Sequence, residues 1–315
     1  MTKTSFIFST DIHGSETCWR KFLNSAKAFK VDALVLSGDM TGKIMVPILR
    51  RPDGKYYATF MKEKYVLSES EIPEFSKKVR RVSYLPYVTT PEEADKIAAD
   101  EGRREKLFED LEKQVVKYWL DLIPEKVPPN CRVIISPGND DKLAIDEVIE
   151  QHPHAVYGEE NVVALDEEHE VACVGWSNPT PWKSPRECSE EELYERMKKV
   201  VQQIKNMKTA VFCFHCPPYD SEIDRAPLLD KDLRPIVRAG SHQFGPAGCK
   251  ATRRIIEEYQ PLLGLHGHIH ESPGFCQIRR TKCLNPGSEY GEGILKAYLV
   301  EIDGDKITRL QRVEG

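Results

Sequence analysis

Apolar runs alternate with amphipathic stretches along this chain, and several of the runs stop abruptly at a carboxylate, an amide or an imidazole. Residues 5–9 (SFIFS) form the first run and lead into Thr10-Asp11-Ile12-His13-Gly14. Trp19, Phe22, Leu23, Ala26 and Phe29 then recur at helical spacing, which predicts a helix with one apolar face. Residues 33–39 (ALVLSGD) are the second run and end in Gly38-Asp39. Strand, helix and strand in this order predict two parallel neighbours, since parallel pairing needs a crossover of about this length. The same pattern returns at residues 131–140 (CRVIISPGND), 210–218 (AVFCFHCPP) and 262–270 (LLGLHGHIH).

From 43 to 127 the character changes. Residues 44–51 and 55–62 are strand-like and flank Pro52-Asp53-Gly54, a hairpin turn by its residue types. A charged, Pro-punctuated stretch follows, and then Leu107, Leu111, Val115, Tyr118, Trp119 and Leu122 keep helical spacing. That spacing predicts one long helix over 92–122, stopped before Pro124. The block 43–127 reads as an insertion subdomain, a hairpin plus a long helix, on a core made of 1–42 and 128–315. Further on, the pattern predicts a short helix over 142–151 and strands over 161–165 and 170–176. A helix over 189–207 opens at Ser189, with Glu192 three residues later, the signature of a capping box. A Gly-rich loop at 239–248, a helix at 251–259 and a last hairpin at 294–302 and 306–313 complete the chain.

Composition narrows the classes. A net charge of -5 over 315 residues argues against a broadly basic nucleic-acid surface. No run reaches membrane-spanning length, and residues 1–10 have too short an apolar stretch for a signal peptide. The nine cysteines are odd in number and scattered, several inside apolar runs, which predicts buried reduced thiols in a cytoplasmic protein. Cys213 and Cys216 have C-x-x-C spacing, but residues three apart on a strand point to opposite faces, so they are not expected to share zinc. The basic clusters Lys77-Lys78-Arg80-Arg81, Arg103-Arg104 and Arg253-Arg254 read as solvated faces.

The chemistry lies at the ends of the runs. Asp11 and His13, Asp39, Asn139, His215, and His268 with His270 all stand where a strand stops. In α/β sheets, sites form outside the carboxyl ends of strands, so these side chains converge if the strands are neighbours. His268 and His270 share a face at i, i+2 spacing. Any one of these endings is equally a turn residue; five together point to a site. Asp, Asn and His donors suit Mn²⁺, Fe, Zn²⁺, Ni²⁺ or Co²⁺ more than Ca²⁺ or a thiolate zinc site. Seven donors are too many for one open catalytic ion and about right for two, which could activate water and clamp a phosphoryl oxygen.

The ordered set Asp11-x-His13, Gly38-Asp39, Gly138-Asn139, His215 and Gly267-His268-x-His270 resembles the calcineurin-like metallophosphoesterase superfamily over residues 5–42 and 130–290. The resemblance implies a mixed α+β or α/β fold, a two-sheet β-sandwich flanked by helices in four layers. It implies two divalent metal ions, with manganese expected first. Asp11, His13, Asp39 and His270 would hold one ion, and Asp39, Asn139, His215 and His268 the other, so that Asp39 bridges. A metal-bound hydroxide would attack phosphorus in a phosphate ester, a diester more readily than a monoester. The expected substrate is a phosphate-ester small molecule or nucleotide. The alternatives are a weakly active metal-binding scaffold and a nuclease with the insertion as its nucleic-acid platform.

One position departs from the resembled pattern. Asp140 stands where the resembled family has a histidine that protonates the leaving group or stabilises the transition state. An ionised carboxylate there could not donate a proton and would repel phosphate. The expectations are a weaker enzyme on poor leaving groups, a donor from elsewhere such as His242, or an Asp140 turned away into local hydrogen bonds. Asn285-Pro286-Gly287-Ser288, Trp176, Trp182 and Tyr219 are expected near the site or in packing. The insertion leaves and re-enters between two donor-bearing strand ends, so it is expected to cover the cleft or to form a homo-oligomer interface.

Overall fold

The five apolar runs become central strands of two sheets. The computed structural model describes residues 3–238 and 240–315; Met1, Thr2 and Ala239, which opens the Gly-rich loop, lie outside the described residues. The first sheet runs, in spatial order, Lys306–Glu314, Lys296–Asp303, Lys3–Thr10, Ala33–Ser37, Arg132–Ser136 and Val156–Tyr157. The second runs Gly274–Ile278, Thr281–Asn285, Leu263–Leu265, Val211–Phe214, Glu170–Val174 and Val162–Ala164. Strands Lys3–Thr10, Ala33–Ser37 and Arg132–Ser136 are parallel neighbours. So are Glu170–Val174, Val211–Phe214 and Leu263–Leu265.

Alternation decides which side chain faces where. Phe6, Phe8, Val35 and Ile134 of the first sheet share one buried cluster with Val171, Cys213 and Leu265 of the second. The intervening residues Ile7, Leu34, Leu36 and Val133 pack instead against Trp19, Phe22 and Leu23 of helix Glu16–Phe29. On the second sheet, Ala172, Phe212 and Phe214 pack against Leu193 and Met197 of helix Glu190–Val201 and Ile255 of helix Lys250–Tyr259. The two sheets thus face each other across one core, with helices on their outer faces. Cys213 lies in the core between the sheets and Cys216 in the core beneath the helices, the opposite-face arrangement that strand geometry requires.

Three expectations change. The long helix over 92–122 is two helices, Pro91–Ala99 and Glu101–Asp121, divided at Asp100, whose side chain caps the second by accepting from the Arg103 N–H. The helix over 189–207 is Glu190–Val201, with Ser189 accepting from the Glu192 N–H. The block 43–127 holds more than a hairpin and a helix. Strands Ile44–Arg50 and Tyr56–Phe60 join Glu63–Leu67 and Tyr84–Thr89 in a third, four-stranded sheet. Val46, Ile48 and Phe60 of that sheet form a separate core with Phe75 and Val79 of helix Ile72–Arg81. Helix Glu101–Asp121 belongs to the main core instead. Its Val116, Trp119 and Leu120 are buried there, and Trp119 stacks on Trp19 at 5.5 Å. Among the described residues, no helix is long and apolar enough to cross a membrane.

Candidate metal centre

Three adjacent parallel strands of the first sheet end at Asp11 with His13, at Asp39 and at Asn139. Two adjacent strands of the second end at His215 and at His268 with His270. Because the sheets face each other, these ends open on the same place. Backbone bonds join the loops: the His13 N–H donates to the Asp39 carbonyl at 2.8 Å, and the Gly267 N–H to the His215 carbonyl at 2.9 Å. The sheets are tied across the site by the His268 N–H, which donates to Asp11 Oδ2 at 3.0 Å.

Donor atoms of Asp11, His13 and His270 lie within 4.8 Å of one another, as do those of Asp39, His215 and His268 and those of His13, Asp39 and Asp140. Asp39 stands between the groups, its Oδ2 3.7 Å from His13 Nε2 and 3.4 Å from His215 Nε2. Asp39 Oδ1 accepts from the Asp140 N–H at 2.9 Å, which fixes the carboxylate plane. Asp11, His13, Asp39 and His268 all have φ between 38° and 65°, the left-handed region that is uncommon for residues other than glycine, though Asp and His enter it more readily than most. The glycines of the three Gly-led motifs are dictated by contact. A Cβ on Gly38 would overlap the His215 ring, one on Gly138 the Asp39 backbone, and one on Gly267 the Thr10 and Asp11 side chains.

The electrostatics suit cations. Burial alone would raise the Asp11 and Asp39 carboxyls, but neighbouring imidazoles, His215 foremost, hold both well below the usual range. Burial would lower His215, yet Asp39 and Asp11 push it up to about 10. His13 and His268 are pushed down to about 4 by burial. Among the described residues Asn139 Oδ1 is buried without a hydrogen-bond partner, and Asp11 Oδ1 faces imidazole nitrogens of His270, His215 and His13 at 3.3–3.9 Å; an unmet buried oxygen is costly unless something else meets it. Oxygen and imidazole donors without thiolate are the set that divalent Mn, Fe, Zn, Ni or Co takes, so the residues present fit such ions.

Sequence reasoning missed the residues around this floor. Asp141 is fully buried and accepts from the Gly138, Met40 and Thr41 N–H groups at 2.8–3.0 Å, joining the Asp39 and Asn139 loops. Arg186, also buried, donates to the Asp141 and Lys142 carbonyls and to Asp146. Lys43 pairs with Asp140 Oδ2. Burial would lower its ammonium, but Asp140 outweighs that and raises it. Glu112, buried on helix Glu101–Asp121, is pushed up to about 8 by desolvation. The Tyr290 ring lies 4.6 Å from that of His13. Apart from the local Gly138–Asp141 bond, these contacts join residues far apart in sequence, so no local pattern announced them; for Glu112 alone, a carboxylate on a buried helical face was a readable signal.

Among the sequence candidates, Tyr219 and Trp182 line a cleft of about 1140 Å³ whose floor includes His13, Asp39, Asn139 and His268. Trp176 lies under the Arg196 guanidinium, 4.0 Å from its ring centre, and packs on the second sheet's outer core. Ser288 Oγ donates to the Asp11 carbonyl at 2.6 Å, and Asn285 Nδ2 to the Ile269 carbonyl at 2.8 Å, so the 285–288 turn props both donor loops. His242 is exposed on a two-residue strand paired with Val237–Arg238 and is not among the described residues that line the cleft, although Pro235 and Gly245 of the same loop are. The basic clusters are engaged on the surface: Arg80 with Glu16, Arg103 with Glu93, Arg253 with Glu257 and Arg254 with Glu258.

No family model matches the chain. An uncharacterized protein of Methanocaldococcus jannaschii is 32% identical over 164 residues, which are 51% of this chain and 62% of that protein, so the chain spans less than two thirds of that relative's length. One solved crystal structure aligns over 99% of both chains with a TM-score of 0.60 and 17% identity. A crystal structure of a Thermus thermophilus protein aligns over 99% of both chains with a TM-score of 0.53 and 15% identity. At such identities the likeness concerns the fold, and function has to be argued from the site.

Proposed function

We propose that the chain is a metal-dependent phosphoesterase of the calcineurin-like kind, holding two divalent ions and favouring phosphodiesters. The observation behind this reading is the cluster of overlapping donor groups with Asp39 between His13 and His215, built from five strand ends on two facing sheets. Asp11, His13, Asp39 and His270 would hold one ion, and Asp39, Asn139, His215 and His268 the other. Bound there, the ions supply Lewis-acid polarisation of a phosphoryl oxygen and a nucleophile available at neutral pH. Helices outside two facing sheets, as the resemblance implies, add support.

The chain's own residues do the rest. Asp11 and Asp39, kept charged in a buried site, neutralise the dications, and Asn139 gives a neutral oxygen. His215 must lose its proton to bind, so uptake competes with the Asp11–Asp39–His215 charge network. Asp141 and Arg186 fix the loops, which preserves donor spacing in the way that outer partners do at metal sites. The cleft above the floor has apolar walls, and its charged lining includes Lys43, Lys142, Lys183 and Lys250 beside Glu112, Asp140, Glu190 and Glu271, a setting for an ester with a sizeable organic part.

The test is hydrolysis of bis(4-nitrophenyl) phosphate by chelator-treated protein with and without added Mn²⁺, beside 4-nitrophenyl phosphate. The proposal expects activity only with metal, higher on the diester, and reduced on the order of 10²-fold or more in Asp39→Asn. Metal uptake without hydrolysis of either ester would favour a scaffold instead.

A further inference from the structure

We infer that Lys43, held in place by Asp140, is the cation that meets the departing oxygen of the ester. The inference rests on the phosphoesterase reading above. Asp140 follows the candidate ligand Asn139, and its carboxylate is gripped from several sides. Oδ2 takes the Lys43 ammonium in an ion pair, and Oδ1 accepts from Ser184 Oγ and, at 3.3 Å, from Asn139 Nδ2. His13 Nδ1 is 4.0 Å from Oδ2. Asp140 therefore lies beside both donor groups, and so does whatever it holds.

Alone, this carboxylate would repel a phosphate; paired with Lys43 it does not. An ammonium has three N–H donors, and one partner does not exhaust them. The Lys43 side chain is 56% exposed and lines the cleft together with Asp39, Asn139 and Asp140. Its backbone is anchored, since strand Ile44–Arg50 begins at the next residue. A second rim cation, Lys142, is already engaged by Glu105 and lies over the Phe108 ring. Lys43 is thus a cation fixed by Asp140 next to the donor groups, with a half-exposed side chain lining the cleft.

The chemistry balances without a proton from Lys43. A water oxygen forms the new bond to phosphorus as the ester P–O bond breaks. The electron pair of that bond stays on the departing oxygen, and a proton of the attacking water, relayed through solvent, completes the alcohol. Negative charge grows on the departing oxygen before that proton arrives. A Lys43 N–H aimed there makes a charge-assisted hydrogen bond that strengthens as the bond breaks. Lys43 is the catalytic residue in this account, and Asp140 and Ser184 are positioning residues that aim it.

The experiment uses full-length, Mn²⁺-loaded protein and a series of methyl aryl phosphates running from a 4-nitrophenyl to an unsubstituted phenyl leaving group. For Lys43→Met, kcat is expected to fall on the order of 10²-fold on the phenyl ester and far less on the nitrophenyl ester, which stabilises its own charge. Bound metal should be unchanged, and Lys43→Arg should restore much of the loss. Asp140→Asn and Ser184→Ala should steepen the dependence of kcat on leaving-group basicity in the same direction, which a merely structural role would not do. Equal loss across the series, or none, in Lys43→Met with full metal content overturns the inference and leaves the phosphoesterase reading intact. A native protein that hydrolyses none of the esters overturns both.

Discussion

At the scale of single residues, the site is a place where ordinary preferences are overridden. Four donor residues take left-handed backbone angles, and three glycines exist because a Cβ would strike a donor side chain or its backbone. Gly38→Ala is therefore expected to destabilise the fold by about 1–3 kcal/mol through overpacking and to weaken metal uptake by displacing His215. Unfolding curves and metal titration read both effects, and a variant with neither would remove the argument for close packing. Glu112 gives a pH prediction. Its folded carboxyl is raised from 4.5 to about 8 by burial, so between those values the folded state keeps a proton that the unfolded state has released. Stability contributed by this group falls as pH rises through that window and is flat above it. Glu112→Gln should be near neutral at low pH. Above pH 8 it should be stabilising by a few kcal/mol, since each pH unit crossed in that window is worth about 1.4 kcal/mol at most. Urea unfolding with chelator present, at pH 4.5 and pH 8.5, tests this; an equal effect at both would contradict it. The seven candidate donors were legible in the sequence because they stand at the ends of five apolar runs. Lys43, Asp141 and Arg186 were not, because their roles arise only when distant loops meet.

At the scale of elements, the parallel strands were readable because both faces of each are buried, which leaves an unbroken apolar run. The third sheet was less readable. Glu63–Leu67 is mostly exposed and opens with two charges, and Tyr84–Thr89 contains Pro86, which suits a sheet edge, where the structure puts it. The predicted long helix joined two helices because the apolar spacing tells nothing of a cap at Asp100. Its buried residues are Leu111, Glu112, Val116, Trp119 and Leu120, with Val115 half-buried against the same core and Tyr118 exposed. That docking changes what removal of the block 43–127 should do. Excision would take Trp119 from the main core, so the shortened chain is expected to lose its cooperative thermal transition. A shortened chain that melts cooperatively near the temperature of the parent would show that helix Glu101–Asp121 is dispensable.

At the scale of the molecule, two sheets bring carboxylates and imidazoles of opposite charge into one buried place, and a cleft opens above it. Cations that bind the folded chain and not the unfolded one stabilise it, by about 2.7 kcal/mol at a hundredfold excess over Kd. Chelation should lower the melting temperature, and restoring Mn²⁺ should recover it; a melting temperature indifferent to chelator would argue against resident metal. The most direct test is anomalous diffraction at the manganese edge from crystals of metal-loaded protein. The account predicts two peaks sharing Asp39, one also bound by Asp11, His13 and His270 and the other by Asn139, His215 and His268. Peaks elsewhere, or a single ion that leaves Asp39 unliganded, would contradict it.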